Sequence, residues 1–136
     1  MSRIAYLDGA YLPLEEARVS ILDRGFVFGD GIYEVAGVLG GGLVDNAGHL
    51  ARFDRCLKAI DIRLPFPIET FTDIAHELVA RNRLDEGLVY FQVTRGVAER
   101  AFATASDPPP TIVGFTQEKT IRDSPAAETG LALKSV

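Results

Sequence analysis

The stretch Asp23-Arg24-Gly25-Phe26-Val27-Phe28-Gly29-Asp30-Gly31-Ile32-Tyr33-Glu34-Val35 decides how the rest of the 136-residue chain is read. Three glycines fall within seven residues there. Glycine reaches dihedrals and backbone approaches closed to other residues. The order is glycine-rich turn, then strand, because Ile32 to Leu39 carries Ile, Tyr and two valines. A dinucleotide site or P-loop needs a strand before the glycines and a helix after them. A phosphate cradle is therefore excluded, and Leu22 to Gly31 reads as a turn-rich stretch that feeds Tyr33 onto a strand.

Working outward, Asp8-Gly9 lies between two short apolar runs, Arg3 to Leu7 and Tyr11 to Pro13, which is a hairpin signal. On the other side, Gly40-Gly41-Gly42 turns the strand back into Leu43-Val44. Asp45 or Asn46 can cap a helix whose apolar face is Leu50, Phe53, Leu57 and Ile60. A second helix is expected from about Pro67, which suits a first turn, to Asn82. Glu69 would complement its dipole, and Phe71, Ile74, Ala75, Leu78 and Val79 form its buried stripe. Leu88 to Thr94 reads as a strand apolar enough to be covered on both faces, and Thr111 to Thr116 as another. The long loop Gly96 to Pro110 joins them.

These elements predict an α+β fold, a mostly antiparallel sheet with two helices packed on one face. Residues 1–117 read as one small domain, 118–130 as a polar linker, and 131–136 as the first strand of a further domain.

Composition narrows the functional classes. The chain is 47% hydrophobic with a formal net charge of −5 and a pI near 5.0, a balance that argues against nucleic-acid binding. No apolar run approaches the ~20 residues of a membrane helix, and the N-terminus lacks a secretory signal pattern. The one cysteine, Cys56, permits no intrachain disulfide. A cytoplasmic protein is the simplest expectation. His49, His76 and Cys56 are too scattered to hold a metal.

The Gly29-Asp30-Gly31-Ile32-Tyr33-Glu34-Val35 ending resembles the N-terminal motif of fold-type IV pyridoxal-phosphate (PLP) enzymes, most of all the D-amino acid aminotransferases. Three further stretches resemble that family in order and spacing: His49-Leu50-Ala51-Arg52, Tyr90-Phe91-Gln92-Val93-Thr94-Arg95-Gly96, and Arg100-Ala101. The resemblance implies the small N-terminal domain of that fold. It also implies transamination between a D-alanine-like D-amino acid and a 2-oxo acid, PLP as cofactor, and a homodimer with shared active sites. Carried over residue by residue, Tyr33 hydrogen-bonds around the substrate carboxylate, Arg52 binds the PLP phosphate, and Arg100 reaches the partner's site to hold the α-carboxylate. The residue types suit those tasks: a phenol is a neutral donor on a rigid body, and guanidinium is a planar fork for oxyanions.

Two departures stand out. Phe102 occupies the position where this branch usually has histidine, and it cannot donate a hydrogen bond. The Schiff-base lysine is also missing from its register. Lys58 is on a helix, Lys119 is in the linker, and Lys134 comes too early. That lysine is expected beyond Val136, and the chain alone is expected to be inactive. The rival expectations are a branched-chain aminotransferase, an (R)-amine transaminase, an aminodeoxychorismate lyase, or a non-catalytic fragment that only dimerises or binds.

Overall fold

The computed structural model describes residues 2–103 and 107–134. Strands β1 (Ile4–Leu7) and β2 (Ala10–Pro13) form the expected hairpin, with Asp8 and Gly9 both at positive φ in its turn. After them come a short helix α1 (Arg24–Phe28), strand β3 (Gly31–Leu39) and strand β4 (Gly42–Leu43). Helices α2 (Asn46–Ala59) and α3 (Thr70–Asn82) follow, then β5 (Glu86–Thr94), β6 (Thr111–Glu118) and α4 (Pro125–Thr129). The strands make one six-stranded sheet in the order β2-β1-β6-β5-β3-β4, with every pairing antiparallel.

Helices α2 and α3 cover one face of this sheet, so the α+β expectation holds. Phe71 of α3 lies at the centre of the core. Its ring meets Phe53 of α2 at 4.9 Å and Phe91 of β5 at 5.0 Å, both edge-on. Val38, Leu57, Leu78, Val89 and Val93 close around them. Strands β1 and β6 pair only at Tyr6 and Leu7. Where they part, the Asn82 side chain takes over: it accepts from the Ile4 N–H at 2.7 Å and donates to the Ile4 carbonyl at 2.9 Å.

Several expectations are corrected. The turn-rich stretch Leu22 to Gly31 contains a capped helix, α1, because one turn is too short to show periodicity. Asp45 precedes α2 but adopts a left-handed conformation and makes no capping hydrogen bond. The Asn46 amide instead donates to the Thr72 hydroxyl of α3. Pro67 precedes α3 rather than opening it. Its carbonyl accepts from the Thr70 N–H in a tight lead-in turn. Strand β5 is buried on the helix side only, and its other face is half-buried. Within the expected linker, Glu118 still belongs to β6 and 125–129 coil into α4. Leu131 to Lys134 pair with no strand among the described residues, and Ser135 and Val136 lie outside them.

Candidate active site

Strand alternation sends Tyr33 and Glu34 to opposite faces of β3. Glu34 turns under α2 and is buried. A buried carboxylate needs partners, and α2 supplies two. Arg52 donates from Nε at 2.8 Å and from Nη2 at 2.5 Å, one to each oxygen, and His49 Nδ1 lies 2.9 Å from Oε1. Burial works against the charge on Glu34. The hydrogen bonds from Arg52, the Val35 N–H and His49 outweigh it and hold the carboxyl below its ordinary range. Spacing explains the pair on α2: His49 and Arg52 are three residues apart and share a helix face.

Tyr33 points to the face without helices and is 66% exposed. Its ring stacks on Tyr90 of β5 at 5.6 Å, and Tyr90 stacks on Phe115 of β6 at 4.8 Å. The Tyr90 hydroxyl donates to Gln92 Oε1 at 2.8 Å. Burial, and then the nearby Tyr33 phenol, push the Tyr90 phenol up. Arg52, with its side chain 57% exposed at the edge of β3, neighbours Tyr33 through Glu34, the next residue along the strand, which it grips. Glu34 occupies Nε and Nη2 of Arg52, and its Nη1 hydrogens have no acceptor among the described residues.

Just upstream, Asp23 caps α1 by accepting from the Gly25 N–H at 2.8 Å. The same carboxylate accepts from the hydroxyls of Thr94 at 3.0 Å and Thr111 at 2.6 Å. Gly25 is required here: a Cβ would lie 2.2 Å from Thr94 Cγ2. Gly29 ends the helix in the left-handed region, at φ 67°. Asp30 follows, and one of its oxygens accepts from Arg24 Nε at 2.8 Å and Arg95 Nε at 2.9 Å. The Arg95 hydrogen bond is the main influence that keeps the Asp30 carboxyl below its usual range. Arg95 also donates to the Ile60 carbonyl at the end of α2. Arg24 reaches in the other direction, donating from Nη1 to the Ala101 carbonyl at 2.8 Å.

Arg100 is exposed on the loop after β5. Its guanidinium lies 5.3 Å from the ring centroids of both Phe28 and Phe102. The structure therefore brings Tyr33 and Arg52 together at the β3 edge. Arg100 makes no contact with either of them among the described residues; its neighbours there are Phe28 and Phe102. Clefts of about 800, 490 and 250 Å³ open elsewhere on the chain, and none of the three residues lines them. Among the described residues no cluster of His, Cys, Asp or Glu could hold a metal.

Sequence reasoning missed Glu34 and Asp30. The signal for Glu34 was an acid at an inward strand position, which demands a cation from another element. Asp30 had no such signal, because both its arginines also suit a solvated loop.

An antiparallel sheet with helices on one face is an arrangement shared with solved aminotransferase structures. The chain superposes on the T.th. branched-chain amino acid aminotransferase, solved with pyridoxamine 5'-phosphate, with a TM-score of 0.83 at 19% identity, over 92% of this chain and 42% of that one. It superposes on the 4-amino-4-deoxychorismate lyase of Pseudomonas aeruginosa with a TM-score of 0.66 at 24% identity, over 85% of this chain and 40% of that one. The D-alanine aminotransferase of Staphylococcus aureus (strain MSSA476) is 40% identical over 114 residues, 82% of this chain. The chain spans 40% of that relative's length. The family model described as amino-transferase class IV matches residues 31–136. The chain belongs to the class IV aminotransferases.

Proposed function

We propose that the full-length protein carrying this chain transfers an amino group between a D-alanine-like D-amino acid and a 2-oxo acid, using PLP. The observation that carries the proposal is the split between consecutive residues Tyr33 and Glu34. One presents a phenol on the open face, and the other holds Arg52 at the adjacent edge. Arg52 suits a phosphate: its plane is fixed by Glu34, its Nη1 hydrogens point free, and it keeps its charge at any relevant pH. Because Glu34 offsets that charge, a phosphate dianion needs further donors, and the portion of the protein beyond Val136 would supply them. Bound PLP contributes an electron sink that lets the substrate Cα proton leave.

The residues of this chain bind and orient. Tyr33 donates toward the substrate carboxylate from a ring that Tyr90 holds in place. Arg100 offers a substrate carboxylate a two-pronged grip, which fixes the substrate face before proton transfer. In the proposed homodimer Arg100 would serve the partner's site. The anchoring lysine would come from beyond Val136. Lys58 is paired with Asp54 at the surface, and Lys119 and Lys134 are exposed. Residues 1–117 would form the small domain, 118–130 the link, and 131–136 the entry to the second domain. The proposed compartment is the cytoplasm; no helix among the described residues is long and apolar enough to cross a membrane.

The D-alanine aminotransferase relative supports the D-amino acid branch over the branched-chain and lyase alternatives, which share the fold at lower identity. The test is a donor screen on the full-length protein with D-alanine, L-leucine, an (R)-amine and aminodeoxychorismate. D-alanine should be converted to pyruvate with the highest kcat/KM. Preference for any of the other three would overturn the assignment.

A further inference from the structure

We infer that Arg24 and Phe28 of α1 are positioning residues for Arg100, built to present its guanidinium with the donor edge free. The inference rests on the proposal that Arg100 binds the substrate carboxylate. Arg24 is 6% exposed, a burial that a guanidinium tolerates only when its donors are used. Holding Asp30 does not by itself account for it, since Arg95 already donates to the same Asp30 oxygen. What Arg24 adds is its second bond, from Nη1 to the carbonyl of Ala101, 77 residues away. Ala101 lies between Arg100 and Phe102, so that bond fixes the backbone at the point where both side chains leave it.

Phe28 supplies the second half of the device. The Arg24 guanidinium lies 4.7 Å from its ring centroid, and that of Arg100 lies 5.3 Å away. Phe102 leans on the same ring at 5.8 Å and meets the Arg100 guanidinium at 5.3 Å. Ring faces attract a guanidinium without consuming its in-plane N–H groups. Arg100 is thereby steadied by two aromatic rings, while its N–H groups meet no acceptor among the described residues and are open for a carboxylate. Phe102 cannot donate a hydrogen bond, and here it contributes a face. Phe28 is a stable platform because it ends α1, which Asp23 caps at one end and Gly29 closes at the other.

The test uses the full-length protein with the variants R24M, F28L, F28Y and R100M, and R24M and F28L each combined with R100M. R24M and F28L should raise KM for D-alanine about tenfold with kcat nearly unchanged, the size expected for losing one charge-assisted contact. F28Y keeps the ring and should behave like wild type. In the R100M background, R24M and F28L should add nothing. Additive losses in that background, or a fall in kcat at constant KM, would overturn the inference. Nitrogen-15 relaxation supplies a readout independent of turnover: amide order parameters at Arg100 and Phe102 should fall below about 0.6 in F28L. Unchanged order parameters would refute the positioning role even if the wild type proved inactive with every donor, a result that would refute only the proposed function. If R24M fails to fold, F28L, F28Y and the relaxation data decide the matter.

Discussion

Arg52 grips Glu34 across the edge of β3 with two nitrogens, Nε at 2.8 Å and Nη2 at 2.5 Å. The acid is buried and the guanidinium is more than half exposed, so the pair fixes the aim of a cation that faces outward. Replacing Glu34 with Gln keeps the shape and removes the charge. PLP titrations of full-length E34Q, followed by absorbance, should show an affinity about tenfold weaker than wild type. Unchanged affinity would mean that Arg52 does not need Glu34 to meet the phosphate.

Tyr33 gives a cleaner separation of binding from packing. Its ring stacks on Tyr90 whether or not the hydroxyl is present. Tyr33→Phe should therefore leave the melting temperature within error while lowering kcat/KM for D-alanine by about tenfold to a hundredfold. A large loss of stability with intact catalysis would place the tyrosine in the scaffold.

Acid stability should depend on Asp30. Its carboxyl titrates below the ordinary aspartate range in the fold, chiefly through Arg95. A group with a depressed native pKa stabilises fully above its unfolded value, near 3.9, and loses that contribution as pH falls through the native one. Melting temperatures measured from about pH 7 down to about pH 2 should drop for the wild type below about pH 4. Asp30→Asn should start lower and show a shallower acid limb. Parallel curves would remove Asp30 from the account.

In the core, Phe71 is 1% exposed and meets three other aromatic rings edge-on. Phe71→Ala should cost about 3–5 kcal/mol in urea unfolding, through lost burial and the cavity left behind. A cost below about 1 kcal/mol would show that the surrounding rings collapse into the space.

Gly25→Ala probes the motif itself. A methyl group there would sit 2.2 Å from Thr94 Cγ2 and 2.9 Å from Asp23 Oδ1. Either α1 lifts from β5 or Thr94 turns away, at a cost of about 1–3 kcal/mol. Chemical denaturation measures it, and a neutral result would show that the contact is loose.

What could be read in the sequence was whatever repeats or turns locally. The Asp8-Gly9 hairpin, the stripes Phe53-Leu57 and Phe71-Leu78, and the β3 strand all announce themselves within a few residues. The resemblance of the motifs to fold-type IV enzymes added roles for Tyr33, Arg52 and Arg100. Helix α1 stayed hidden because five residues hold no period, and because its cap, Asp23, is also bound by Thr94 and Thr111 from distant strands. The arginine partners of Asp30 and Glu34 were hidden for a related reason. The Arg95 and Arg52 guanidiniums lie 65 and 18 residues away, and no local pattern reports which acid they meet.

The two hydrogen bonds between Asn82 and Ile4 have a bearing on how this sheet avoids unwanted company. Neighbouring strands that diverge leave bare amide and carbonyl groups, which invite pairing by a foreign chain. A helix side chain that imitates a strand closes that seam from within, so the molecule can splay its sheet there without becoming adhesive.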